Sequence, residues 1–373
     1  MESKPKILWV NTLFFAITGI FAFVVVPWYG FTVGFDAFQV IATILCMGYC
    51  GMSITAGYHR LWSHPTYKTK AWIRVVYAIG GAFALQNSAL HWSSDHRVHH
   101  RYVDDNDKDP YSAQRGFWYS HMGWMLRDYN SEQYSDYSNA PDLKRDPVVM
   151  WQHKHYLALV LATNFGIPFL IGVWHGDILG TMLIVGFLRL VLSQQVTFFI
   201  NSLAHHWGSQ PYTDRNSARD NGVLAYLTFG EGYHNYHHCF QADYRNGIRW
   251  WHFDPTKWFI FSLSKLGLAS KLKRCDQQKI EKAKAEMAMK NVHEKLRFHA
   301  DAEEIKAKLQ AQYDELVESI NKAYEARKVW LEAKRCEVRE AYEKSEAMHR
   351  YKELKAAMQA QRDEWRMLLA QYA

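Results

Sequence analysis

Three groups of histidines carry the chemistry this chain can do. His96, His99 and His100 stand in HRVHH, His234, His237 and His238 in HNYHH, and His59 and His64 in HRLWSH. In a helix, HxxHH puts its imidazoles at i, i+3 and i+4, one above another on one face, from which each group can reach two ions. The i, i+5 spacing of His59 and His64 does not hold one face of an α-helix, so the helix is expected to end between them. Eight histidines fall in these groups and His205 makes a ninth. One zinc site takes about four ligands, so this set suits two metal ions. Imidazole serves iron, zinc, copper and nickel. Asn201 stands four residues before His205, on the same face of a continuous helix, where it holds a metal-bound water or orients a ligand. The surrounding stretches offer no polar pocket for a hydrolytic substrate. Redox-active iron with dioxygen attacks an unactivated methylene, which no side chain can do; the protein then supplies ligands, a dry channel and a held geometry.

The elements that position these histidines read as membrane spans. Ile7 to Trp28 is an almost unbroken apolar run, long enough to cross a bilayer and without a cleavage pattern, so it is read as retained. Phe38 to Gly57 is a second span that runs into His59. Tyr156 to Trp174 and Ile178 to Ala204 are the third and fourth. The links around Asp36 and Asp177 lack Lys and Arg, whereas Lys4, Lys6, Arg60, Lys68, Lys70, Arg97, Arg101, Lys144, Arg145 and Lys154 fall on the other side. The positive-inside rule puts that side, all three histidine groups and both termini in the cytoplasm. Val75 to Leu90 is apolar but too short to span and reads as a buried or interfacial helix. Arg189 inside span four, followed by Gln194 and Gln195, is expected to bond between helices. The fold class is therefore an all-α integral membrane protein, with four spans and a helical cytosolic cap around a two-metal site. Residues 1–274 form this domain and 275–373 a charged tail. The tail lacks Gly and Pro, favours helix and carries a partial heptad seam through Leu309, Tyr313, Leu316, Ile320, Ala323 and Leu331, a possible route to self-association.

A net charge of +7 over 373 residues beside membrane segments suits an anionic leaflet, and no nucleic-acid-binding pattern is present. The five cysteines form no CxxC pair, which leaves out iron–sulfur ligation and a disulfide framework; Cys46 and Cys50 read as small residues inside a span.

ITAGYHRLWSH (Ile54 to His64), SSDHRVHHRY (Ser93 to Tyr102), the run from Asp109 to Trp124 ending RGFWYSHMGW, NSLAHHWG (Asn201 to Gly208) and GEGYHNYHH (Gly230 to His238) together resemble the membrane fatty acyl desaturases, with the nearest likeness to the stearoyl-CoA-type delta-9 enzymes. The resemblance covers most of residues 40 to 265 and not the tail. It implies four membrane helices, a cytosolic cap and two irons held by His59, His64, His96, His99, His100, His205, His234, His237 and His238, with Asn201 reaching a metal through water. It implies dioxygen as co-substrate and a cis double bond, at delta-9, placed in a saturated acyl chain. The kink of the family's acyl tunnel matches Gln86, Trp92 and Thr197, with Asn87 beside Gln86. Met47 and Gly51 share a face of span two, roughly 18 and 12 Å beyond His59 at about 1.5 Å per residue; their match to the closed end of the tunnel makes them an expected chain-length floor, against the simpler reading of Gly51 as a packing residue.

Two positions depart from the animal acyl-CoA members. Arg127 is followed by Asp128 where the family has an Arg–Lys pair, and Ser94 replaces an Arg ahead of HRVHH. The acyl carrier is thus acyl-CoA or an acyl lipid, with Arg127 the nearest cation for it. No haem-type HPGG occurs in the chain, so electrons are expected from a separate ferredoxin-type or cytochrome b5-type system, which points toward a bacterial inner membrane. A di-iron alkyl hydroxylase is the rival enzyme reading. A membrane metal carrier is the rival from another class, though carriers hold their ligands near the bilayer midplane and these lie at span ends. His91, His121, His153, His155, His175 and His206 are read as structural or surface residues.

Overall fold

The computed structural model describes residues 5–129, 135–296, 301–335 and 341–372; Lys4 and Cys336 lie outside them. The chain forms two compact units, Met1–Ser209 with Arg215–Arg274, and Gln210–Asp214 with Cys275–Ala373.

Among the described residues of the first unit four helices are long and apolar enough to cross a membrane: α1 (Trp9–Thr32), α2 (Ala37–Ser63), α7 (Tyr156–His175) and α8 (Ile178–His206). Between them run α3 (Ala71–Ala84), α4 (Ala89–Tyr102), α5 (Phe117–His121) and α6 (Pro147–Lys154), and after them α9 (Gly222–Leu227), α10 (His234–Cys239) and α11 (Pro255–Lys265). Large apolar side chains such as Leu45, Leu157, Leu170 and Trp174 point outward from the long helices and are more than half exposed. An apolar surface of this size belongs in lipid rather than water. A two-residue ribbon pairs β1 (Lys68–Thr69) antiparallel with β2 (Ala269–Ser270).

Polar residues set the ends of these helices. Asp36 and Gln39 form a reciprocal capping box that starts α2. At the same end Asp177 caps α8 through the Gly180 N–H at 2.8 Å, and accepts from Tyr29 Oη and Gln39 Nε2, tying α1, α2 and α8 together. The apolar stretch expected to run from Val75 to Leu90 is two helices, not one. α3 stops at Leu85, which is left-handed (φ 51°), Asn87 follows at φ 73°, and the Ser88 side chain caps α4 by accepting from the His91 N–H. Arg189 is fully buried, as its place in a span demands; its guanidinium bonds Phe83 O, Asn164 Oδ1 and Val185 O and lies 3.7 Å over the Phe83 ring. Gln194 donates to Leu85 O at 3.2 Å, and Gln195 Oε1 meets His121 Nε2 at 2.9 Å.

The second unit contains α12 (Gln277–Lys295), α13 (Ala302–Arg335) and α14 (Ala341–Gln371). α13 and α14 run antiparallel, with Trp330 stacked on Tyr351 and Tyr313 against Trp365. The seam through Leu309, Leu316, Ile320 and Ala323 is buried against Met358, Trp365 and Leu368 of α14 and Ala285 and Val292 of α12. It is thus covered within the chain. Leu331, expected on that seam, is exposed.

Candidate metal centre

The HRVHH stretch lies on α4 and HNYHH on α10, so both triplets have the expected helical spacing. At 100° per residue, i and i+4 diverge by about 40°, while i+3 lies about 60° to the other side of i. Each triplet therefore divides. His96 and His100 join His59, His64 and His237 in one cluster, and His99 joins His205, His234 and His238 in a second. Within each cluster the ligand nitrogens lie within 4.8 Å of one another.

α2 does not end between His59 and His64. Its last eleven residues, Ser53–Ser63, wind as a π-helix, and the His64 N–H bonds His59 O at 3.1 Å. An i→i+5 helix brings residues five apart near one face, which is why a spacing that fails on an α-helix succeeds here. Asn201 also departs from expectation. The helix is interrupted at Ser202, and the His205 N–H bonds Ser202 O rather than Asn201 O. Asn201 reaches the site as part of a cavity wall instead.

The Nε2 atoms converge. His59 and His237, and His64 and His96, stand 2.9 Å apart; His100 and His237 stand 3.0 Å apart; His205 and His234, and His234 and His238, stand 3.1 Å apart. For imidazole–metal bonds of about 2.0–2.1 Å, as to zinc, two nitrogens at a right angle are about 3 Å apart. Three of the far ring nitrogens have an oxygen within reach. His99 Nδ1 lies 2.9 and 3.0 Å from the two Asp109 oxygens, His59 Nδ1 2.8 Å from Glu231 Oε2, and His205 Nδ1 2.8 Å from Ser217 Oγ. A proton on Nδ1 leaves the Nε2 lone pair facing the cluster, which is the tautomer a metal requires. Burial, the largest cause, pushes His64, His96, His100, His234, His237 and His238 well below the ordinary imidazole range, and neighbouring histidines add to it. Nine imidazoles whose ligand nitrogens converge in two clusters fit a pair of borderline divalent cations.

Buried carboxylates fix these rings. Glu231 accepts from Arg60 Nη2 at 2.8 Å, and Arg60 Nη1 also bonds Asp254 and Tyr244 O. Burial alone would raise the Glu231 carboxyl, but the Arg60 charge and His59 hold it down at about 2. Asp104 accepts from the Ser217 hydroxyl and N–H, so the His205 side is held the same way. Asp104 and Glu231 escape sequence reasoning because their partners Ser217 and Arg60 lie 113 and 171 residues away; Ser217 stands in a stretch with no motif to mark it. For Asp109 a signal exists, since it sits ten residues beyond His99 at the head of a motif already marked.

Beside the clusters lies a cavity of about 600 Å³. His59, His96 and His234 form part of its wall, as do Gln86, Asn87, Trp92, Thr197, Asn201 and Arg127. Gln86 Nε2 donates to Thr197 Oγ1 at 2.8 Å, and Trp92 stacks on His96 with ring centres 4.9 Å apart. Arg127 is tied down by its bond to Pro5 O, and its backbone bridges to Ile7. Met47 and Gly51 are not among the lining residues; Gly51 packs against Phe229, and a Cβ there would overlap that ring.

Of the other histidines, His91 meets Tyr137 and Asp95, His121 meets Ser202, His153 meets Ser88, His175 meets Asp36, and His206 meets Ser202 O. None of these five belongs to either cluster.

A family model described as fatty acid desaturase matches residues 36–265. Over 246 residues the chain is 48% identical to acyl-CoA desaturase 1 of Saccharomyces cerevisiae, covering 66% of this chain and 48% of that protein. It is 35% identical to stearoyl-CoA desaturase 5 of Bos taurus, covering 76% and 84%, and 34% identical to the sn-2 palmitoyl-lipid 9-desaturase of Nostoc sp., covering 72% and 92%. The chain spans about half the length of the yeast protein and of a probable acyl-CoA desaturase of Schizosaccharomyces pombe, of which it covers 55%.

Proposed function

Because this chain belongs to the fatty acid desaturase family, we propose that it is an integral membrane acyl-CoA desaturase that places a cis double bond, at delta-9, in a saturated chain. The overall reaction converts –CH2–CH2–, O2, two electrons and two protons into –CH=CH– and two waters. His59, His64, His96, His100 and His237 hold one iron in this reading, and His99, His205, His234 and His238 the other. Bound there, the two irons supply the dioxygen-activating redox chemistry that removes hydrogen from an unactivated methylene.

The observation that carries this reading is the adjacency of both imidazole clusters to one cavity whose wall includes His59, His96 and His234. The chain's own residues do the rest. Trp92, Ile54, Leu85 and Phe198 give an acyl chain an apolar wall, and the Gln86–Thr197 bond sets a fixed feature in it. Glu231 and Asp109 hold protons on the outer nitrogens of His59 and His99, and Asn201 presents its amide to the space beside the metals. The apolar lining keeps bulk water from the reacting carbons. The names of the yeast and mammalian relatives favour a coenzyme A thioester as carrier. The distribution of Lys and Arg supports histidines and termini on the cytoplasmic side.

The test is expression in cells that lack this activity, with gas chromatography of total fatty acids and mass spectrometry of the double-bond position. Purified protein is then offered stearoyl-CoA or a stearoyl phospholipid. A new cis-9 monoene made from the thioester supports the reading; hydroxylated product, or none from either carrier, overturns it.

A further inference from the structure

α3 is too short to cross a bilayer, and its C-terminal end is enclosed by other helices. Gly80, Gly81, Ala82, Phe83 and Ala84 are all buried, and the helix packs on α2, α7 and α8. A helix leaves its last carbonyls without partners of its own, and a buried carbonyl must find one elsewhere. α3 has no basic residue in its last turn to serve them. The partners come from α7 and α8. Arg189 Nη1 donates to Phe83 O at 2.6 Å, Asn164 Nδ2 to Ala82 O at 3.2 Å, and Gln194 Nε2 to Leu85 O at 3.2 Å.

Arg189 stands apart from the two amides because it is charged. At about 1.5 Å per residue it lies roughly 18 Å along α8 from the Asp177 cap, near the middle of a hydrocarbon core about 30 Å thick. A cation at that depth is costly. Among the described residues its guanidinium meets no carboxylate: it bonds Phe83 O, Val185 O and Asn164 Oδ1 and lies 3.7 Å from Cys50 Sγ. Its compensation is the negative end of the α3 dipole, together with the face of the Phe83 ring 3.7 Å away. An interhelical bond alone needs no charge, as Asn164 and Gln194 show. A charge is suited to holding a helix end.

That end leads directly into the cavity wall. Leu85 and Asn87, left-handed at φ 51° and 73°, carry side chains, and such residues persist only where their surroundings hold them. Gln86 stands between them and donates to Thr197 Oγ1. Leu85, Gln86 and Asn87 all line the cavity, whereas Arg189 does not. Arg189 therefore reaches this wall only through α3. We propose that Arg189 is a positioning residue for the reaction: by anchoring the C-terminal end of α3 from within the membrane, it fixes the Leu85–Asn87 turn and so the point of the acyl chain that faces the metals. The part that concerns the acyl chain rests on the desaturase reading; the anchoring of the turn rests on the geometry alone.

The experiment uses the full chain in lipid nanodiscs as wild type, Arg189→Met, Arg189→Lys and Asn164→Ala. Met keeps the volume and removes the charge and its donors, an exchange that buried sites often tolerate; Lys keeps the charge; Ala removes the amide that braces the guanidinium. Three quantities are read: hydrogen exchange of backbone N–H groups in residues 83–91, iron per chain, and the positional isomers of the monoene. Arg189→Met is expected to exchange about tenfold or more faster in that segment, to keep its iron, and to yield a second positional isomer. Arg189→Lys should restore slow exchange and a single isomer, and Asn164→Ala should fall between. Wild-type exchange in the segment with a single isomer in Arg189→Met overturns the proposal, as does loss of iron in step with the faster exchange, which would make Arg189 a general packing residue. If Arg189→Met does not insert as folded protein, Asn164→Ala decides by the same two outcomes. Absence of monoene from wild type overturns the desaturase reading instead, and the exchange measurement, which needs no turnover, still tests the anchoring of the turn.

Discussion

Gln86 and Thr197, 111 residues apart in the chain, are joined across the cavity by a 2.8 Å hydrogen bond from Nε2 to Oγ1. The geometry around it is constrained. Leu85 and Asn87 on either side of Gln86 are left-handed, at φ 51° and 73°, and Thr197 itself donates to Ser193 O. Thr197→Val removes the acceptor and leaves a half-buried amide N–H unpaired, a cost toward the lower end of about 1–3 kcal/mol. The expected outcome is a fall of about tenfold or more in kcat/KM and a second positional isomer among the products, with Thr197→Ser close to wild type. Mass spectrometry of the double-bond positions checks it; a single unchanged isomer from an active Val variant would detach this bond from chain positioning.

The carboxylates behind the imidazoles give a second expectation. Asp109→Asn removes the negative charge and one of the two acceptor oxygens beside His99 Nδ1, and Glu231→Gln does the same beside His59 Nδ1. Loss of such a partner typically costs 10–100-fold in metal affinity. Iron per chain, measured after equilibration with a graded series of chelators, should fall for both variants. The Asp109 change should weaken the four-histidine cluster and the Glu231 change the five-histidine cluster, so each single variant should retain one ion under conditions that strip the other. Loss of both ions together in either variant would mean that the two clusters are not independently held.

How much of this was legible beforehand depends on the range over which each residue acts. HRVHH could be read as a helical face because its three imidazoles are local to one helix. The same 100° step that brings them together also divides them between two clusters, and that division follows from the spacing alone. His59 and His64 could not be joined in this way, because α-helical geometry places them apart and nothing in HRLWSH marks the π winding that reunites them. The break at Leu85 was hidden inside an apolar run, since two left-handed residues carrying side chains leave no glycine to signal them. Glu231 sits 171 residues from the Arg60 that keeps it charged, a distance no motif spans.

Metal removal and pH should be coupled. Burial keeps His64, His96, His100, His234, His237 and His238 well below their ordinary value, whereas in an unfolded chain they titrate near about 6.5. Between those values the unfolded chain binds more protons, so stability rises with pH there. The contribution is fully present above about pH 6.5 and is lost as pH falls from there through the folded values. Chelator-treated protein is therefore expected to show a melting temperature that drops steadily on acidification below about 6.5. Iron-loaded protein should hold its melting temperature to lower pH and then lose it together with the ion, because protons must displace the metal. Scanning fluorimetry on both forms between about pH 5 and 8 tests the difference; parallel curves would place the stabilising metal elsewhere.

Gly51 is the last position at issue, because its spacing from His59 suits a chain-length floor and its surroundings suit something else. It is on α2, and a Cβ there would overlap the ring of Phe229. Phe229 has little freedom to retreat. It is left-handed at φ 56°, it precedes Gly230 at φ 101°, and its carbonyl accepts from Thr256 Oγ1 at 2.9 Å. The next residue along that turn is Glu231, which lies 2.8 Å from His59 Nδ1, and His234 begins the helix that follows. Overpacking in a close-packed interior typically costs about 1–3 kcal/mol, and here the displacement is passed through the turn to a metal ligand. Gly51→Ala is therefore expected to lower the melting temperature and the iron content, while the remaining product keeps the parental chain-length distribution. Met47→Ala, one turn away and also outside the cavity wall, should leave both iron and chain length unchanged. Product gas chromatography alongside metal analysis separates the two roles. A Gly51→Ala enzyme with full iron and a shift to shorter chains would make Gly51 part of the floor of the acyl cavity rather than the seat of Phe229.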